Sequence, residues 1–439
     1  FLGVQWDYSY TEVISMDQKL HTETLCIQAG YSPASGEPRQ IPIIQSTTFK
    51  YATSEHMGKL FDLEAAGYFY SRLQNPTCEI FEKRVAALDG GIGALSFSSG
   101  HAAIFNTVVN LCSEGDEMVS SINIYGGAVN MLGVTLKRLG ITVKFVDPDD
   151  FDAWEAAITD KTKLLFTEVI GNPNVNVSDL EKIAAIAHKH GIPFMVDSTF
   201  TTPYLCKPID FGADFVVHSA TKFLAGHGSV MAGVVVDSGR FNFKGNPRFP
   251  LFNRPDESYH GVVFADLGEG AFLARLRALI TRDVGACLAP FNAYMALIGL
   301  DTLSLRMERH SANSLAVAEY LEKHPKVEKV NYPLLKSNKY YDLARKYIPK
   351  GAGGVFTFEL KGGREAGAKF MDSLKLFKIV ANVGDVRSMV IHPATTTHSQ
   401  LTAEQLVKAG ISESNVRLSI GLESIDDIIA DLEQALAQV

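Results

Sequence analysis

Cysteine is scarce in this sequence, with five in 439 residues, an odd number, and none spaced as CxxC. That excludes a disulfide framework and a zinc ribbon, and it fits a reducing compartment. An excess of basic charge is also missing. Lys+Arg number 41 against 49 Asp+Glu, a formal net charge of −8, so nothing draws the chain generally to nucleic acid or an anionic membrane. Residues 1–15 lack the basic segment and apolar run of a secretory leader and read as an upstream extension. Two stretches, 90–113 and 284–300, lack charge altogether. The first holds four serines, His101, Asn106 and Asn110, and the second Pro290 and Asn292, so both read as buried core and not as membrane spans. The twelve histidines show no ligand spacing, and His188 and His190 would diverge on a helix, so no metal is expected. The dinucleotide fingerprint fails after Gly91-Ile92-Gly93, and no GxxxxGK[ST], HExxH or GxSxG occurs. A cytoplasmic enzyme with neither membrane nor nucleic-acid partner is the expectation.

What is present is an alternation of helix and strand patterns from about Asn75. Asn75-Pro76 reads as N-cap and first helical residue, Phe81, Val85 and Leu88 follow at helical spacing, and Gly90-Gly91 closes the helix. Short apolar runs then recur at Val143–Val146, Leu164–Val169, Pro193–Val196, Phe215–Val217 and Val230–Val236, with helical stretches such as 102–111 and 180–190 between them. This argues for an α/β fold with a mostly parallel sheet in a large domain, 76–287. The character changes near 284–300. A long helix over 303–323 leads to Gly354–Leu360, whose alternation predicts a half-solvated antiparallel strand, and Ser424-Ile425-Asp426-Asp427 reads as a capping box opening a last helix. Residues 288–439 are read as a smaller α+β domain, and 16–75 as an irregular N-terminal arm.

The chemistry concentrates in Asp214–Gly228. An apolar strand runs into Ser219, Thr221 and Lys222, and ends of parallel strands are where α/β sheets place ligands. A lysine flanked by hydroxyls suits covalent capture of a carbonyl beside a bound phosphate, although a surface lysine after a strand would look the same. Asp197, ending the strand before, is placed to keep a pyridinium nitrogen protonated or to cap the turn at Ser198 and Thr199. Ser99-Gly100-His101, opening an uncharged helix, offers amides to a phosphate. Tyr125 before Gly126-Gly127 is either a ring-stacking residue or core. In Val416–Ile420 the apolar residues share one strand face and Arg417 takes the other, where its planar fork suits an α-carboxylate or simply faces solvent.

Together these elements resemble the Cys/Met-metabolism family of fold-type-I pyridoxal-phosphate enzymes, from about His21 to Val439. The match is carried by Tyr70-Ser71-Arg72 with Asn75-Pro76-Thr77, Ser98–His101, Tyr125-Gly126-Gly127, Glu168 with Asn172-Pro173, Asp197, Ser219–Lys222 and Asn415–Gly421. The resemblance implies that Lys222 carries pyridoxal 5′-phosphate and then shuttles protons, with Tyr125 assisting. It implies that Asp197 holds the ring nitrogen, that Asn172 lies near the ring hydroxyl, and that Ser99, Gly100, His101, Ser219 and Thr221 surround the phosphate. His101 stands where methionine is usual. Tyr70 and Arg72 would reach the cofactor or substrate of a neighbouring subunit, which implies a homo-oligomer, a tetramer of two active dimers. Arg417 and Asn382 would meet the substrate carboxylate. Gly127, where methionine-cleaving lyases have cysteine, directs the choice within the family. So do the stretches Asn382–His398, Ser258–Gly261 and Leu305–His310, the second inside an insertion at 241–267. They point to the branch that exchanges the acetoxy group of O-acetyl-L-homoserine for sulfide. Cystathionine γ-synthase and γ-elimination are the alternatives.

Overall fold

A computed structural model describes residues 20–61, 65, 67–393, 396, 412 and 414–439; the 1–15 stretch and the end of the 382–398 segment lie outside the described residues. Two sheets organise the chain. The first contains β1 (Gly93–Phe97), β2 (Glu117–Ser121), β3 (Thr142–Val146), β4 (Thr162–Glu168), β5 (Phe194–Asp197), β6 (Phe215–His218) and β7 (Gly233–Asp237). Its order is β1-β7-β6-β5-β4-β2-β3, parallel from β3 to β6, with β7 antiparallel to both of its neighbours. Every residue of β4 is buried, as a parallel strand covered on both faces requires. Alternate residues of β5 and β6 feed two cores. Phe194, Val196 and Val216 pack with helices Pro76–Asp89 and Leu180–Lys189, while Met195, Phe215 and Val217 pack with helix Gly100–Leu111.

The helix ends follow the local chemistry. Asn75 Oδ1 accepts from the Thr77 N–H at 3.0 Å, Pro76 takes the first turn, and Gly90 closes the helix at φ 80°, which a residue without Cβ adopts freely. The 241–267 insertion is ordered around a ring cluster in which Phe243 and Phe252 stack with centroids 4.0 Å apart, and the Tyr259 hydroxyl donates to the Ala278 carbonyl at 3.1 Å.

The second sheet holds β8 (Val327–Asn331), β9 (Val355–Leu360), β10 (Lys378–Ile379), β11 (Met389–Ile391) and β12 (Asn415–Ser419), in the order β10-β11-β12-β9-β8. Its pairs are antiparallel except β10–β11. Three expectations need correction. β9 is not half-solvated, because it lies centrally between β8 and β12 and even Thr357 is fully buried. Ser424 does precede the last helix, Ile425–Leu436, but its side chain makes no capping bond. The stretch read as an irregular arm carries two short helices, Thr22–Gln28 and Ser54–Phe61, the first burying Cys26 against the core. Among the described residues, no helix is long and apolar enough to cross a membrane.

Candidate active site

The carboxyl ends of the parallel strands meet the second sheet around a cavity of about 400 Å³. All the candidate residues except Tyr70 and Arg72 line it: Lys222 and its flanking Ser219 and Thr221 after β6, Asp197 at the end of β5, Tyr125 after β2, Ser99, Gly100 and His101 at the start of a helix, Asn172 after β4, and Asn382 and Arg417 from the second sheet and the loop beside it. Tyr70 and Arg72 are elsewhere. Tyr70 is 39% exposed, Arg72 stacks over its ring at 5.1 Å, and the Arg72 guanidinium donates to the Arg282 carbonyl.

The backbone around the lysine is tightly drawn. A Cβ at Gly100 would lie 2.6 Å from that of Ser219, so only glycine lets the helix start approach the Lys222 turn this closely. The Ser99 hydroxyl accepts from the Ala102 N–H at 3.1 Å, and the Thr221 hydroxyl exchanges bonds with the Ala232 backbone. Both side chains are fixed by these contacts while facing the cavity. The Lys222 ammonium donates to Asn382 Oδ1. Burial and then the charge of Arg417 lower its pKa to about 8, so roughly a tenth is free amine at pH 7, far more than for an ordinary lysine.

Two buried carboxyls face this amine from neighbouring strands, since Glu168 and Asp197 are paired in the β4–β5 register. Burial and then the Asp197 charge raise Glu168 well above the usual carboxylate range, although its Oε1 accepts the Tyr125 N–H at 2.8 Å. Burial raises Asp197 as well, but it is pulled back by Thr199, whose N–H donates to Oδ1 at 2.8 Å, and by the charges of His218 and His101. In the pair, Glu168 therefore holds the proton and Asp197 the charge. His218 favours its charged form for a specific reason. Burial opposes its charge, but the equally buried Asp89, with Oδ2 2.7 Å from its Nε2, outweighs that and raises the pKa. The Asp89–His218 pair is not visible from the sequence, where Glu168 stands out only as part of a motif. Its position at the end of a strand adjacent to Asp197 was the signal available.

Arg417 is 3% exposed and donates from Nη1 to Asn172 Oδ1 at 3.0 Å and from Nη2 to the Asn382 carbonyl at 3.5 Å; burial lowers its pKa to about 10. The solvent-facing alternative is thereby excluded. Tyr125 presents a 41% exposed ring, braced edge-on by His101 with centroids 5.5 Å apart. A Cβ at Gly127 would lie 2.6 Å from that ring, so glycine there lets the tyrosine lie as it does. These residues fit a flat pyridine with a phosphate and an aldehyde: an amine that deprotonates more readily than an ordinary lysine, a carboxylate for a ring nitrogen, a broad ring face and helix-start amides in a glycine cradle.

Comparison with known proteins agrees with this fit. The Cys/Met metabolism PLP-dependent enzyme profile matches residues 23–437. The chain is 48% identical over 423 residues to the O-acetyl-L-homoserine sulfhydrylase of Corynebacterium glutamicum, covering 95% of this chain and 97% of that protein. It is 49% identical over 420 residues to the homocysteine synthase of Schizosaccharomyces pombe, with 95% and 98% covered. A crystal structure from Campylobacter jejuni, described as an O-acetylhomoserine (thiol)-lyase with N′-pyridoxyl-lysine-5′-monophosphate, superposes with a TM-score of 0.94 at 41% identity, covering 95% of this chain and 100% of that one.

Proposed function

This chain belongs to the Cys/Met-metabolism family of pyridoxal-phosphate-dependent enzymes, and from that membership we propose that it converts O-acetyl-L-homoserine and sulfide to L-homocysteine and acetate. The observation that carries the substrate class is Arg417. A buried guanidinium whose hydrogen bonds among the described residues go to neutral oxygens, and which lines the same cavity as Lys222, suits the α-carboxylate of an amino acid. The named activities of the relatives support the acetyl leaving group and sulfide as the nucleophile.

Pyridoxal phosphate, when bound, supplies an aldehyde that captures amines and a ring that takes up electron density. The chain's residues do the rest. Ser219, Thr221 and the Gly100 and His101 amides would hold the phosphate, Tyr125 would offer its face to the ring, and Asp197 would keep the ring nitrogen protonated. Arg417 and Asn382 orient the substrate by its carboxylate. With the cofactor bound, Lys222 Nζ would take the proton from Cα, hand it to the carbon that the aldehyde supplies and, as free amine again, take one from Cβ, so that the Cγ–O bond can break and acetate can leave. Sulfide adds at Cγ as HS⁻, and Lys222 would return its proton to Cβ, then retrieve the first one and return it to Cα. One amine within reach of both carbons suffices as base. The assay is direct: acetate release and homocysteine formation should be fastest with sulfide. Faster turnover with cysteine, or 2-oxobutyrate formed without any nucleophile, overturns the choice of reaction.

The same reading treats 76–287 as the cofactor domain and 288–439 as the smaller domain, places the enzyme in the cytoplasm, and makes it a homotetramer in which Tyr70 and Arg72 serve a neighbouring site. Their position outside their own chain's cavity supports that last assignment. Arg72→Ala and Lys222→Ala subunits should each be inactive alone and regain activity when mixed, because some mixed dimers contain one site with neither lesion. No recovery, with subunit exchange verified, argues against shared sites.

A further inference from the structure

The Leu305–His310 stretch contributes no residue to the cavity, yet its helix, Leu303–Lys323, turns several polar side chains inward, three of them long ones. Arg306, His310 and Asn313 are 4%, 0% and 4% exposed, and their spacing puts them on one helix face. The Arg306 guanidinium donates to the carbonyls of Phe223 at 2.6 Å, Leu224 at 3.0 Å and Gly299 at 2.7 Å, and to the Thr302 hydroxyl at 3.3 Å. All four acceptors are neutral. Burying a cation without a counter-ion is costly, and burial lowers its pKa to about 10. What the planar fork achieves is to bind two successive carbonyls of the turn that follows Lys222. The fit is close, since a Cβ at Gly226 would lie 2.0 Å from Arg306 Nη1.

One helical turn further on, His310 Nδ1 donates to the Ile420 carbonyl at 2.7 Å, and its ring stands edge-on to Phe223 with centroids 5.1 Å apart. Burial lowers its pKa to about 4, so the ring is neutral and the proton sits on Nδ1. Asn313 Nδ2 then donates to the carbonyls of Gly421 and Glu423, both at 3.0 Å. The helix thus grips the chain just after Lys222 and again just after Arg417. Phe223 and His310 join the two grips.

We propose that Arg306 and His310 are positioning residues that hold the Lys222 turn and the Arg417 strand end in one register, fixing the distance between the proton-moving amine and the carboxylate anchor. This rests on the roles given to Lys222 and Arg417 above. Misplacing a reacting group by about 1 Å costs on the order of 100-fold in rate, so small slippage is measurable.

Glycine is the probe, because it has the α-carboxylate but no leaving group. In the holoenzyme, its binding is titrated by absorbance and the exchange of its Cα proton is followed in deuterated water. Arg306→Met should slow exchange, and kcat with it, by about 100-fold while leaving glycine affinity and KM nearly unchanged. His310→Leu should do the reverse, weakening glycine binding and raising KM by about tenfold, whereas His310→Asn, which keeps a donor near Nδ1, should recover most of the loss. If Arg306→Met does not fold, Arg306→Lys keeps the charge without the fork and should show the same kcat-selective defect in smaller degree. The proposal is overturned if the variants leave both quantities unchanged. It is equally overturned if they lower both in proportion to lost thermal stability, or if His310→Asn is no better than His310→Leu. Should the wild-type protein release no acetate from O-acetyl-L-homoserine, the functional reading fails alone, and the glycine measurements still decide this one.

Discussion

Lys222→Ala should abolish turnover, lowering kcat by about 10⁴-fold or more, because a positioned acid–base group alone contributes up to about that much and Lys222 also forms the covalent link to the cofactor. The surroundings leave no substitute. Among the described residues, Lys222 is the only lysine lining the cavity, and its pKa of about 8 is set by that enclosure and by Arg417. Borohydride reduction of the native holoenzyme, followed by peptide mapping, should place the pyridoxyl label on Lys222. A label on another lysine, or turnover by Lys222→Ala within tenfold of wild type, sinks the assignment. The loss should affect kcat, since nothing in the substitution removes the carboxylate contact at Arg417.

Arg417→Ala should behave differently. The protein should keep its yellow cofactor, while kcat/KM falls by about 2–4 kcal/mol, the usual cost of removing one partner from a desolvated charge pair. Arg417→Lys should recover only part, because a point charge cannot reproduce the bidentate fork. A second consequence follows from the electrostatics. Arg417 is one of the two causes that lower the Lys222 pKa, so its removal should let that pKa rise. The measurement is inhibitor binding: a carboxylate-bearing amino acid should weaken more than the matching amine without the carboxylate. Equal weakening, or unchanged efficiency, means that Arg417 is not the anchor.

The parts of the site that were legible in the sequence are those where a polar residue interrupts an apolar strand ending. Asp197 and Lys222 stand out because the parallel strands before them have almost no other polarity, and Gly100 because it opens an uncharged helix. Strands β1 and β2 are hard to read from the sequence for the converse reason. Gly93–Phe97 lies inside a stretch without charge that resembles its helical neighbour, and Glu117–Ser121 is short and half polar, so neither shows a decisive period. Arg417 was placed on the correct strand face, but whether that face met solvent depended on what covered it. The same ignorance produced the error at β9, where Thr357 reads as an outward residue and is packed inward. Asp89 and His218 are far apart in sequence, and only the fold brings one carboxylate against one imidazole.

The lysine loop has one more consequence, in the order of events during synthesis. β6 and β7 are sequence neighbours that pair antiparallel, His218 opposite Val234, and the loop between them carries Lys222. Its loop, 219–232, is shorter than the stretch from β9 to β12, so this pair is the more local contact and closes at the lower entropic cost. β12 follows far behind in the sequence, and its pairing with β9 waits for Asn415–Ser419 to leave the ribosome. The lysine turn is thus synthesised well before the strand that carries Arg417, and a ribosome stalled before residue 415 leaves it without its carboxylate wall.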